Sequence, residues 1–137
     1  MNRERLLRLA DLLEKDAENP EGVKFDMSEW GRVLDRTRPL SCGTTACAMG
    51  LAALSGEFTA DGLDYEIGIV ALLFTYNSKC MGGLDAAAGL FEIPDVIADR
   101  LFLGQWSGPC NGADGERRMA EVIRQYVETG VVPLRRD

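Results

Sequence analysis

Between Ala46 and Leu54 the chain reads ACAMGLAAL, nine residues without one polar side chain. A helix that is apolar on every face has no side to give to water and belongs in the middle of a folded unit. Thr44 is placed to cap such a helix and Gly56 to stop it. The small residues Ala46, Gly50 and Ala53 would let neighbouring backbones come close. Whatever the rest of the chain does, it has to be arranged around this stretch.

Helical periodicity is clearest at the two ends of the sequence. Leu6, Leu9, Ala10 and Leu13 recur at i, i+3, i+4 and i+7, and Asn19-Pro20 with Gly22 closes that first helix. Met119, Val122, Ile123, Tyr126 and Val127 form a longer stripe, with Asp114 as the expected cap and Gly130 as the stop. Between them, "FDMSEWG" predicts a short helix, with Asp26 and Glu29 as a capping box and Phe25 and Trp30 as its staple. "DAAAGLFEIPDVIADRLF" predicts two short helices meeting at Ile93-Pro94, the second burying Ile97, Leu101 and Phe102. The residues 57–76 are ambiguous. Asp61-Gly62 and the alternation of Leu63, Tyr65 and Ile67 allow a short hairpin near 58–67. The apolar stretch over 64–76 fits a strand or a helix, and a helix is the expectation, because a lone strand would have no sheet to join.

A chain of 137 residues is long enough to bury a core without disulfides or structural metal. Residues 1–15 carry charges throughout and no continuous apolar segment, so no secretory leader is expected, and the compartment expected is the cytoplasm. In that reducing setting the four cysteines are expected as free thiols. The net charge is −7, and residues 39–95, with Lys79 against seven acids, supply −6 of it. Nucleic-acid and anionic-membrane binding need clustered Lys and Arg, and the Arg135-Arg136 tail is too short to serve, so neither partner is expected.

The chain has no histidine, which removes Ser-His-Asp and Cys-His catalysis and every His-containing metal site. Cys42, Cys47, Cys80 and Cys110 lack the paired short spacings of a four-thiolate site, so no metal and no cofactor are expected. Cys47 falls in the first turn expected for the apolar helix, where the helix dipole favours thiolate, while burial opposes it. It is expected to face inward, with Cys42 near the surface. Trp30 and Trp106 are the aromatic candidates for ligand contact, each with core packing as the competing reading.

Trp30-Gly31, C-x4-C-A-x-G-L-A from Cys42 and A-A-x-L-F-x-I from Ala87 together resemble small bacterial or phage proteins of unassigned activity. That resemblance implies no reaction and no site residue.

The expected architecture is mostly α: a single domain over residues 1–137, of five or six helices bundled around Ala46–Leu54. The expected function is that of a small interaction or regulatory module, not an enzyme, binding a protein or an apolar ligand through a helical groove, or associating with itself. The alternative is a thiol-dependent enzyme or redox sensor using Cys42 and Cys47.

Overall fold

The segment leading into the apolar run is a strand. The computed structural model describes residues 1–69 and 71–135; Val70, inside the ambiguous 64–76 stretch, and Arg136 of the basic tail lie outside them. In chain order the elements are α1 (Arg3–Glu18), β1 (Lys24–Phe25), β2 (Arg32–Val33), β3 (Thr44–Ala46), α2 (Ala48–Ser55), β4 (Leu63–Ile67), β5 (Leu72–Tyr76), β6 (Lys79–Met81), α3 (Gly83–Phe91), α4 (Asp95–Phe102) and α5 (Gly112–Thr129), with a 3-10 turn at Thr59–Asp61. The fold is therefore a mixture of helices and two three-stranded sheets, not the mostly α bundle expected.

The first sheet has the order β1-β3-β2, with β1 parallel and β2 antiparallel to β3. Thr44 pairs with Val33 in this sheet, and among the described residues its buried hydroxyl finds no partner, so it caps nothing. Cys47 takes the N-cap position of α2, and its N–H donates to the Glu29 carbonyl at 2.7 Å. Seven consecutive residues of α2, Ala48 to Leu54, are buried, which is what an all-apolar helix requires.

The helix expected at Asp26 does not form. Asp26 Oδ1 instead accepts from the N–H and the hydroxyl of Ser28, at 2.9 and 2.6 Å, closing a local turn, and the Met27 N–H donates to Asn111 Oδ1. Asp and Ser side chains compete with helical hydrogen bonding in this way. The chain after the turn then runs against α2. A Cβ added at Gly50 would lie 1.9 Å from the Trp30 carbonyl oxygen, so that approach exists only because Gly50 has no side chain.

The stretch expected as a helix over 64–76 is an antiparallel hairpin, with Leu63 paired to Tyr76 and Ile67 to Leu72. Leu63, Leu72 and Phe74 are buried while Asp64, Glu66 and Leu73 face out, the period of two that a one-sided sheet requires. The missing sheet partner is β6, reached through a two-residue turn at Asn77-Ser78 with φ of 51° and 67°. Positive φ at both central residues is the mark of the hairpin turn whose twist matches its strands. Asp61-Gly62 is not the hairpin's tip; it ends the 3-10 turn that leads into β4.

The helices at the ends follow their stripes. Leu6, Leu9, Ala10 and Leu13 of α1 and Met119, Val122, Ile123, Tyr126 and Val127 of α5 are buried, and the two helices lie along each other. Asn111, rather than Asp114, is the N-cap of α5. Arg124 of α5 pairs with Asp11 and Glu14 of α1 at the rim of that seam. Phe91 of α3 stacks on Phe102 of α4 and meets Phe58 edge-on, and Pro94 caps α4.

Gly50→Ala tests the close approach. Helix propensity alone would make alanine better by about 1 kcal/mol. The clash with a backbone carbonyl should reverse the sign and cost on the order of 1–3 kcal/mol, read as a lowered urea midpoint. A stabilised variant would show that the Trp30 segment yields without cost.

Candidate functional site

Two adjoining cavities open where the last turn of α1 meets the rest of the molecule. The first, about 410 Å³, is a groove between α1 and α2 lined by Leu12, Lys15, Leu40, Leu51 and Glu57, with Asp16 and Asn19 at one end. The second, about 470 Å³, lies between the 19–25 segment and the first turns of α5, and its walls include Lys24, Phe25, Cys42 and Glu116. Asp16 and Asn19 line both.

The side chains at this junction are placed by local chemistry. Asn19 caps the C-terminus of α1, and its Oδ1 accepts from the Glu21 N–H, which turns the chain back over the helix end. The Val23 N–H then donates to Asp16 Oδ1 at 3.1 Å. Gly22 makes that return possible, since a Cβ there would lie 2.7 Å from the same oxygen. Across the seam, Arg117 of α5 donates to the Ala17 carbonyl, which brings its neighbour Glu116 to Asp16.

Glu116 is only 2% exposed. Among the described residues, its Oε2 and Asp16 Oδ2 are buried atoms that no donor reaches. An unsatisfied buried polar atom costs roughly 1–3 kcal/mol. A proton carried by Glu116 has Asp16 as its nearby acceptor. Burial first, then the hydrogen bond with Asp16 and the Asp16 charge, push the Glu116 carboxyl up to about 10, against a weaker opposing pull from Arg117. At neutral pH the floor of the second cavity is therefore a carboxylic acid, a hydrogen-bond donor in a position where sequence suggests a charge.

The thiols fall into different surroundings. Cys42 is exposed on the wall of the second cavity. Cys47 is buried, its Sγ lies 3.9 Å from the Trp30 carbonyl, and burial pushes its thiol up to about 11 despite the helix N–H groups around it. The dipole loses to desolvation here. Cys80 is exposed on β6, and Cys110 is half-buried with Arg135 at 3.4 Å from its sulfur. Among the described residues no group of three or more His, Cys, Asp or Glu side chains is arranged to hold a metal ion.

Neither tryptophan lines the two cavities. Trp106 is fully buried with its indole N–H donated to the Leu101 carbonyl at 3.0 Å. Trp30 is half-buried, edge-on to Phe74, and covers the backbone at Gly83. The structure thus brings together Cys42 and two carboxyls that sequence reasoning missed, and leaves Cys47, Trp30 and Trp106 elsewhere. The signal for the missed pair lies in the helical stripes. Asp16 stands three residues beyond Leu13, and Glu116 three residues before Met119, so each carboxyl occupies the next inward position of an apolar face.

Among the described residues, no helix is long and apolar enough to cross a membrane. No protein-family model, no curated protein and no solved structure matches this chain.

Two outcomes follow from these surroundings. The folded state keeps a Glu116 proton that the unfolded chain releases above its ordinary value of 4.5. Its contribution to stability is full below that value and is lost as pH rises toward about 10. Glu116→Gln keeps a donor without the titration. Its unfolding free energy relative to the native chain should therefore grow by about 1.4 kcal/mol per pH unit between pH 6 and 9, measured by urea unfolding; parallel profiles would show that Glu116 is ionised in the fold. In the native protein, Cys42 should label with iodoacetamide well before Cys47, and the reverse order by peptide mapping would contradict the burial described.

Proposed function

We propose that the chain is a small binding module of the cytoplasm that takes an apolar ligand into the groove between α1 and α2. The observation that carries this reading is the groove itself. Leu12 and Leu40 flank Leu51 in a space of about 410 Å³, and Leu40 remains 48% exposed on the loop between β2 and β3. Small-molecule sites are concave, mostly apolar, and of this size, with a few polar groups at one end. Asp16 and Asn19 supply that end. The cytoplasmic part of the reading draws on four cysteines that stand as free thiols, the state a reducing compartment maintains.

A redox pair of Cys42 and Cys47 is less well supported. Thiol exchange requires an accessible thiolate, and the Cys47 thiol is buried and held above its ordinary range.

Titration with Nile red, a neutral apolar dye, tests the groove. The native protein should enhance its fluorescence saturably, and Leu40→Glu should weaken binding at least tenfold, about 1.4 kcal/mol, while the melting temperature stays within a few degrees. No saturable binding, or unchanged binding by the variant, would remove the groove as a ligand site.

A further inference from the structure

The first sheet carries a cationic row on its outer face. Lys24 of β1 and Arg32 of β2 are both in register with Thr45 of β3, so the three residues stand side by side across the sheet. Phe25 and Ala46, one residue further along, are buried, and the alternation of a strand therefore turns Lys24 and Thr45 outward. Lys24 and Arg32 are exposed, with Cα atoms roughly 10 Å apart, two strand spacings. Beside Thr45 the floor is bare. The Leu34 N–H donates to the Gly43 carbonyl, and a Cβ at Gly43 would meet nothing closer than Ser41 Oγ at 3.6 Å and Leu34 Cβ at 4.0 Å. The result is a shallow notch with a cation on each side, a hydroxyl and open backbone beneath, and Leu34, 78% exposed, at its end.

The two cations have no acid of their own. The chain holds 22 acids against 15 bases. Yet the ion pairs among the described residues take their cations only from Arg5, Arg8, Arg117, Arg118 and Arg124, on α1 and α5. Asp26, two residues beyond Lys24, is held instead by the N–H and hydroxyl of Ser28.

We propose that this notch binds a small phosphate monoester, with the phosphate seated between Lys24 and Arg32 over Thr45 and the organic part against Leu34. Two unit positive charges match a dianion, whereas a monocarboxylate leaves one of them over. The guanidinium takes two phosphate oxygens through parallel N–H bonds, the ammonium acts as a point charge, and the Thr45 hydroxyl donates to a third oxygen. The ligand is small because the surplus acids elsewhere on the chain repel a polyanion. A single dianion in the notch meets the two cations at contact distance, well inside the screening length of about 10 Å at 0.1 M salt. The site is separate from the groove between α1 and α2 and stands without it.

Isothermal titration at low ionic strength with phenyl phosphate, benzoate and inorganic phosphate tests this. Phenyl phosphate should bind at one site, about tenfold or more tighter than benzoate. Lys24→Gln and Arg32→Gln should each weaken it about tenfold or more, while Lys79→Gln, which removes an exposed cation of β6, leaves it unchanged. Leu34→Ser should weaken phenyl phosphate roughly threefold or more and leave inorganic phosphate alone. These positions are exposed, and melting temperatures close to the native value show that the variants fold. Equal binding of phenyl phosphate and benzoate, or a loss in Lys79→Gln as large as in Arg32→Gln, overturns the site. Inorganic phosphate binding as tightly as phenyl phosphate, with Leu34→Ser silent, overturns the monoester class. Phosphatidylcholine vesicles containing phosphatidic acid should leave the protein in the supernatant; co-sedimentation that Arg32→Gln abolishes overturns the small-ligand class. If no probe binds saturably, the proposal fails outright.

Discussion

The carbonyl oxygen of Trp30 lies against α2 at Gly50, and the rest of the architecture follows from that one backbone-on-backbone approach. An all-apolar helix must be covered on every side. Here the cover on one side is extended chain. The 26–33 segment crosses α2, its Glu29 carbonyl accepts from the N–H of the N-cap residue Cys47, and its Gly31 carbonyl accepts from Leu72, the first residue of β5. The first sheet and the second are thus both pinned to the same few residues. Trp30 then closes the corner with its indole, between Phe74 of β5 and the start of α3.

Much of the helical part of this fold is legible in the residues. The stripes of α1 and α5, the buried character of α2 and the Pro94 corner between α3 and α4 are set by local periodicity, and periodicity survives packing. What the residues hide is set by partners distant in sequence. Asp26 and Glu29 fit a capping box, but Ser28 lies close enough to take the Asp26 carboxylate first, and the Glu29 carbonyl is claimed by Cys47. Over 64–76 the apolar pattern admits both periods, and the choice is made by β6, three residues whose pairing depends on Asn77 and Ser78 adopting positive φ. An Asn-Ser pair is a weaker turn signal than Asn-Gly, and without it the strand has nowhere to go.

The carboxyl pair is hidden for a different reason. Sequence reasoning treats a charged residue as a solvated one, and Asp16 and Glu116 each lie at the end of a helix, where solvation is the ordinary outcome. Only the phase of the apolar stripe points inward, and it does so on two helices whose pairing is not visible until the fold is known. Cys42 stands out in the sequence and does line a cavity, whereas the carboxyls beside it come from residues with no distinguishing motif.

The α1–α5 seam joins the two ends of the chain, and synthesis separates those ends in time. Arg124 reaches back to Asp11 across 113 residues, and Arg117 to Ala17 across 100. At roughly 5–20 residues per second of synthesis, the apolar face of α1 leaves the ribosome and waits several seconds or longer for the helix that covers it. During that interval its leucine stripe lacks the face of α5 that buries it in the fold, while acids and arginines occupy its other side. The native cover of α1 is complete only once that last long helix is present.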